Sequence, residues 1–296
     1  MASALFLAPL LLGIVNRTKA LFAGRRGQPL LQSYHDLWKL LQKGAVYSGT
    51  TTWLFRAGPL IGLAAAGVSL LFVPFAGARA LAAFPGDLVL FAYLLGLMRF
   101  VTVLAALDTG SSFEGMGASR EVTFSALAEP ALLLGLAALA RRGGGFSLSD
   151  GYAAVRLFDF GPSGGLPILL IGAAFLVVYL AENARIPFDD PNTHLELTMI
   201  HEVMVLDHGG PDLAFVQYAA AIKLWVFGAL VVGVLLPIRT GQVALDLAAG
   251  FAGMAVLAVA TGCVESTMAR LRLNRVPQLL VTATVLSALA LMLVLY

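Results

Sequence analysis

The chain has 296 residues, of which 59% are hydrophobic and 12% charged, with a formal net charge of +2 and one cysteine. So large an apolar excess excludes an ordinary water-soluble domain, and scattered positives with no long basic cluster exclude a nucleic-acid surface. The lone Cys263 excludes an internal disulfide, a CxxC pair and an iron–sulfur ligand set within this chain.

Apolar runs near 20 residues recur along the whole sequence, long enough to cross a bilayer as helices. The reading is all-α: a polytopic membrane protein with about eight transmembrane helices, plus amphipathic helices in its cytoplasmic loops. It forms a single integral membrane domain over residues 1–296. The expected spans are Ala2–Phe22, Ala57–Phe75, Leu88–Leu107, Val122–Ala140, Leu166–Ala181, Leu213–Leu236, Val243–Val264 and Val276–Tyr296. No basic residue precedes the first apolar run, which argues for a retained span over a cleaved signal peptide.

After the first span, Leu30, Leu31, Tyr34, Leu37, Trp38 and Leu41 recur at helical spacing while Asp36, Lys39 and Lys43 fall elsewhere on the turn. This predicts an amphipathic helix lying on the membrane, under a partner, or against its own protein. Arg99 lies inside the third span and Lys223 inside the sixth; each either pairs with a membrane carboxylate or reaches for the interface. Glu129 sits mid-span in the fourth, followed by Pro130, which removes a backbone N–H and opens the helix locally. A carboxyl group at the bilayer centre is costly and is a candidate proton stop, or else a neutral Glu bonded to a neighbouring helix. Asp246 and Glu265 fall at span ends and read as interfacial.

Between Glu182 and Asp212 lie seven of the 17 carboxylates and three of the four histidines. Glu182 and Arg185, three residues apart where the fifth span ends, suggest a local ion pair. Pro187 and Pro191 stop that helix and force a turn through Phe188, Asp189 and Asp190. A new helix is expected near Asn192, with Thr193 and Glu196 as a capping box. His194, His201 and His208 then share one helical face, but a seven-residue rise of about 10 Å separates neighbours too far for one metal ion. His201-Glu202 begins like a zinc-protease motif and lacks the second histidine four residues on. What remains is a segment rich in proton-carrying groups, or an acidic face for a basic partner.

Loops after odd-numbered spans carry 12 Lys/Arg and those after even-numbered spans five. The positive-inside bias puts the odd loops and the acidic segment in the cytoplasm and both termini outside.

The segment AENARIPFDDPNTHLELTMIHEVMVLD resembles the signature loop of the respiratory complex I subunit 1 superfamily, through Glu182, Arg185, Pro187, Phe188 and Asp189. Its continuation from Thr193 to Glu202 resembles the branch found in membrane-bound [NiFe] hydrogenases: hydrogenase-4 component C and formate hydrogenlyase subunit 4. Three further stretches agree: the first loop (Arg26, Gly27, Pro29, Gln32, Asp36, Lys39), the start of the fourth span (Gly117, Arg120, Glu129) and the last loop (Glu265, Arg270, Arg272, Arg275, Gln278).

The resemblance implies a non-catalytic membrane subunit of an oxidoreductase complex, in the plasma membrane of a bacterial or archaeal cell. It would hold no cofactor itself. A [NiFe] centre and iron–sulfur clusters would sit in partner subunits: hydrogenase large and small subunits and an iron–sulfur protein, joined to antiporter-like membrane subunits. It implies a proton path through Glu129, Glu182, Glu196 and Glu202, and a peripheral-arm interface at Arg26, Asp36, Lys39, Arg120, Arg185 and Asp189. Asn192 and His194 stand where complex I subunits are more acidic, which points away from a quinone chamber. The alternatives are the quinone-site subunit of a complex I-like NADH or F420 dehydrogenase, and a stand-alone ion transporter.

Overall fold

A computed structural model describes residues 1–156, 165–189 and 199–295. Its helices, in chain order, are α1 (Ala2–Phe22), α2 (Gln32–Leu41), α3 (Trp53–Ser69), α4 (Asp87–Asp108), α5 (Ser112–Gly143), α6 (Leu148–Ala153), α7 (Gly165–Glu182), α8 (Gly210–Leu235), α9 (Val243–Thr267) and α10 (Val276–Leu295). A 3₁₀ turn, Glu202–Val205, precedes α8. No strand occurs among the described residues. Among the described residues seven helices are long and apolar enough to cross a membrane, and α3, at 17 residues, is a shorter apolar helix beside them.

The all-helical, multi-span reading therefore holds. Six of the eight expected spans agree with the observed helices to within three residues. The second was placed too late. It begins at Trp53 because the Thr52 hydroxyl accepts from the Leu54 N–H at 3.3 Å, an N-cap. It ends at Ser69, before Pro74 and the left-handed Ala76 and Gly77. The fourth was placed too short. Helix α5 starts at Ser112 and runs 32 residues, roughly 48 Å. Its polar first turns are held by tertiary contact: at Gly117 a Cβ would lie 2.2 Å from Val203 Cγ1 and 2.9 Å from the Ile200 carbonyl.

Helix α8 is the centre of the molecule. It is apolar on every face and packs against α1, α2, α3, α7 and α9. Of its most apolar stretch 72% is buried, against 22% in α10, so α8 is a core helix and α10 a peripheral one. Helix α10 lies against α5 and α7, where the Ser287 hydroxyl donates to the Ala131 carbonyl at 2.7 Å. Close approach needs small residues: a Cβ on Gly135 of α5 would sit 2.4 Å from the Phe175 ring of α7.

The expected amphipathic helix is α2, and it lies on its own protein, against α1 and α8. The Tyr34 hydroxyl donates to the Phe6 carbonyl, while Trp38 and Leu41 stay exposed.

Candidate functional site

Helix α7 ends at Glu182, and Ala184 adopts φ 48° before the chain turns inward. That left-handed step sends Glu182 and Arg185 to different neighbours, so the expected local ion pair does not form. Glu182 Oε1 accepts from Arg99 Nη2 at 2.5 Å, and its Oε2 lies 2.9 Å from Lys223 Nζ. Arg185 Nη1 reaches Glu265 Oε1 at 3.3 Å, and the other Glu265 oxygen lies 2.8 Å from Lys19 Nζ.

Arg99 holds more than one carboxylate. Its Nη1 donates to Glu129 Oε1, and its Nε lies 3.9 Å from Glu121 Oε1. Helices α4, α5, α7 and α8 are thus tied by five charged side chains: Arg99, Glu121, Glu129, Glu182 and Lys223. Both cations left open by the sequence take the paired alternative. An uncompensated charge at the bilayer centre costs about 2.5–3.5 kcal/mol on insertion scales, and pairing is how a membrane interior tolerates it. The group carries three carboxylates against two cations, so one proton brings it to neutrality.

Glu265 lies in the last turn of α9, as its place at a span end implied, and its carboxylate is fully buried between Lys19 and Arg185. Asp246 is buried too, accepting from the Thr240 N–H at 2.7 Å and hydroxyl at 2.8 Å.

The segment after Asp189 departs further. The expected helix start at Asn192, with Thr193, His194 and Glu196, lies outside the described residues. From 199 to 209 the chain runs as turns around the short 3₁₀ element, so His201 and His208 do not share a helical face. Side-chain acceptors compete with the helix here. Asp189 Oδ2 takes the Ile200 and His201 N–H groups at 3.0 and 3.2 Å, and Glu114 Oε1 takes that of Asp207 at 3.2 Å. His208 instead stacks on Phe55, ring centroids 4.0 Å apart. Burial lowers the pKa of both histidines, opposed at His208 by Asp212 and Asp207.

The remaining candidates separate by exposure. Arg26 and Lys39 are exposed. Asp36 is half-buried and accepts from Gln32 Nε2 at 2.8 Å. Arg120 is half-buried and donates to the Met199 carbonyl at 2.9 Å. Arg185 and Asp189 are buried, and Asp189 Oδ1 lies 2.9 Å from Arg270 Nη2. Those last two side chains shape the loop from inside. Glu202 is half-buried at the start of the 3₁₀ turn.

A cavity of about 490 Å³ opens among α1, α2, α8 and the loop after α7, with Leu12, Asp36, Glu182, His201, Glu202 and Lys223 in its wall. It joins the loop carboxylates to the buried ion network. No group of three His, Cys, Asp or Glu side chains fit for a metal ion occurs among the described residues.

Glu121 was not singled out from the sequence. It stands eight residues before Glu129 on the same helix, about 80° round from it and so on the same side, and that signal was available. Lys19 and Glu265 carried no local signal of their pairing, since 246 positions separate them.

Transmembrane helices stitched by a buried ion network, with a cavity that exposes part of that network at one end, define a multi-pass membrane protein with charge-carrying groups in its interior. All of residues 1–296 match the NADH dehydrogenase family, and the chain belongs to it, the complex I subunit 1 family. It is 30% identical to formate hydrogenlyase subunit 4 of Escherichia coli (strain K12), over 92% of this chain and 89% of that protein. It is 32% identical to hydrogenase-4 component C of the same organism, over 80% of this chain and 74% of that protein. An NADH-quinone oxidoreductase subunit of Rubrobacter xylanophilus is 29% identical over 70% of this chain and 61% of that one. The fold is that of a chain in the membrane-bound sulfane sulfur reductase, an archaeal respiratory membrane complex, with a TM-score of 0.81, 22% identity and coverage of 99% and 96%. The protein is a membrane subunit of a multisubunit respiratory-type complex.

Proposed function

We propose that this chain is the membrane-anchoring, proton-path subunit of a membrane-bound [NiFe] hydrogenase of the formate hydrogenlyase or energy-converting type. It would couple a peripheral redox arm to antiporter-like membrane subunits. The observation that carries this reading is Arg99 shared between Glu129 and Glu182, with Lys223 on the second oxygen of Glu182. Adding or removing one proton changes the charge of that group, and the cavity lets the loop residues sense it. Glu202 and Glu196 would extend the path toward the arm. Arg26, Asp36, Lys39 and Arg120, with the loop shaped by Arg185 and Asp189, would meet the arm itself. The [NiFe] centre and iron–sulfur clusters would reside in the hydrogenase large and small subunits and an iron–sulfur protein. The host membrane would be a bacterial or archaeal plasma membrane, with both termini outside.

The test is to tag the chain, extract its complex in mild detergent, identify the co-purifying proteins and measure nickel and iron. Nickel with a hydrogenase large subunit is expected. The cavity favours one other reading, the quinone-site subunit of a complex I-like dehydrogenase. Nickel-free partners carrying flavin, with quinone-dependent activity, would establish that reading and overturn the first. A chain that purifies alone and moves ions alone in liposomes would overturn both.

A further inference from the structure

Glu129 is paired with Arg99, yet its side chain remains 48% exposed, against 4% for Glu182. It stands 17 residues after Ser112 and 14 before Gly143, well inside the longest helix of the molecule. Val122, Ala126, Glu129 and Leu133 are all exposed and follow one another by three or four residues, so they form one stripe of α5. Tyr93 and Phe100 face outward from neighbouring α4, on either side of Arg99 in sequence.

Lipid is a poor cover for such a stripe. Glutamate has too short a stem to carry its carboxylate from mid-helix to the membrane surface, unlike lysine or arginine. The ion group to which it belongs has three carboxylates and two cations, so the exposed edge is on the negative side of the balance. A second copy of this chain is equally poor, because a two-fold contact through this stripe sets Glu129 against Glu129. A membrane-spanning helix with a positive donor at that depth satisfies the exposed oxygen, balances the group and shields it from lipid.

We propose that the α4–α5 face is the docking surface for a membrane-spanning helix of a different subunit, and that this helix presents a Lys, Arg or protonated His at the level of Glu129. The proposal rests on the chain being one subunit of a larger membrane complex, and deepens that reading by assigning a face and a partner chemistry.

The experiment places a photo-crosslinking benzoyl-phenylalanine at Leu133, leaving Glu129 and Arg99 intact, and irradiates cells holding the complete complex. Adducts are mapped by mass spectrometry. The expected result is an adduct to a membrane-spanning segment of another subunit, with a Lys, Arg or His within about one helical turn of the crosslink. Introducing Glu129→Lys should then reduce that adduct at least about tenfold at equal chain abundance, and Glu129→Gln, which removes the acceptor charge without reversing it, should reduce it by a smaller factor. Adducts to lipid only, to a second copy, or none at all overturn the docking surface. An adduct to a segment without a basic residue, or one indifferent to Glu129→Lys, overturns the partner chemistry. If the chain co-purifies with other subunits while this face meets only lipid, the inference fails and the subunit reading stands. A chain with no partners fails both.

Discussion

Arg99 of α4 and Glu182 at the last turn of α7 meet at 2.5 Å, although 83 residues separate them. The pair fixes the end of α7 against the middle of α4 and leaves the second Glu182 oxygen for Lys223 of α8. The packing of three helices and the charge balance of the interior therefore depend on the same two side chains.

That balance sets an order of sensitivities. Replacing Arg99 by Met leaves three carboxylates with Lys223 alone. Replacing Glu182 by Gln leaves two carboxylates with two cations, a neutral group. Breaking a buried pair by removing one partner costs on the order of 3–5 kcal/mol when the remaining charge is uncompensated. Arg99→Met is expected to show that loss and Glu182→Gln a clearly smaller one. Thermal unfolding of the purified complex in detergent measures both. Equal losses, or the reverse order, would show that charge balance does not govern this group.

Glu129→Gln separates transport from assembly. Arg99 keeps Glu182 at 2.5 Å and Glu121 at 3.9 Å when the Glu129 charge is removed. The complex should form at wild-type yield, while the carboxylate in the middle of α5 is gone. The expected outcome is proton movement slowed at least about tenfold in proteoliposomes of the purified complex. Pumping at the wild-type rate sinks the relay role of Glu129.

The contrast between these residues and the helices shows what a sequence of this kind discloses. Eight apolar helices were legible because each is a local property of some 20 residues. Their ends were legible where a local signal was strong, and misplaced where tertiary contact decided. Thr52 set the start of α3 more than a turn before the apolar run's own edge, and Gly117 lies against Val203 in the polar extension of α5. The charged residues were legible as anomalies, since Arg99, Glu129 and Lys223 stand in apolar surroundings. Their partners were not. Glu182 looked paired with Arg185 because local spacing is all that a sequence displays, whereas Ala184 turned the two apart. Glu265 was legible as a residue at a span end, but nothing near it in the sequence announces Lys19.

The two histidines of the loop before α8, His201 and His208, give the protein a pH dependence of definite sign. His208 is stacked on Phe55 beside Asp207 and Asp212, and burial holds its pKa below the usual value. An unfolded histidine takes up its proton near pH 6.5, and the folded one only at lower pH. The stabilisation from neutral His208 is thus complete above about pH 6.5 and is lost as pH falls through the folded value. His201, also lowered by burial, acts in the same direction. The melting temperature should fall below about pH 6.5, and His208→Gln should flatten part of that fall. A parallel decline in both proteins would remove His208 as its source.

Glu265 offers a more local measurement, through the single cysteine. Cys263 lies two residues earlier on α9 and is partly exposed, and at adjacent Gly262 a Cβ would come within 2.6 Å of Thr18 on α1. The α1–α9 seam is closed on one side by the Lys19–Glu265 pair, which continues to Arg185 after α7. Glu265→Gln leaves two cations facing each other without an anion, and both seams should loosen. Lys19→Met leaves the Arg185–Glu265 pair in place, and Lys19 itself is 22% exposed, so its loss weighs less. Alkylation of Cys263 by a small thiol reagent should quicken at least about tenfold in Glu265→Gln, equivalent to about 1.4 kcal/mol of local stability. In Lys19→Met it should stay within a few-fold of wild type. If both variants label at the wild-type rate, the buried carboxylate does not hold the seam. If Lys19→Met labels as fast as Glu265→Gln, the closing force comes from the lysine pair alone and Arg185 contributes nothing to it.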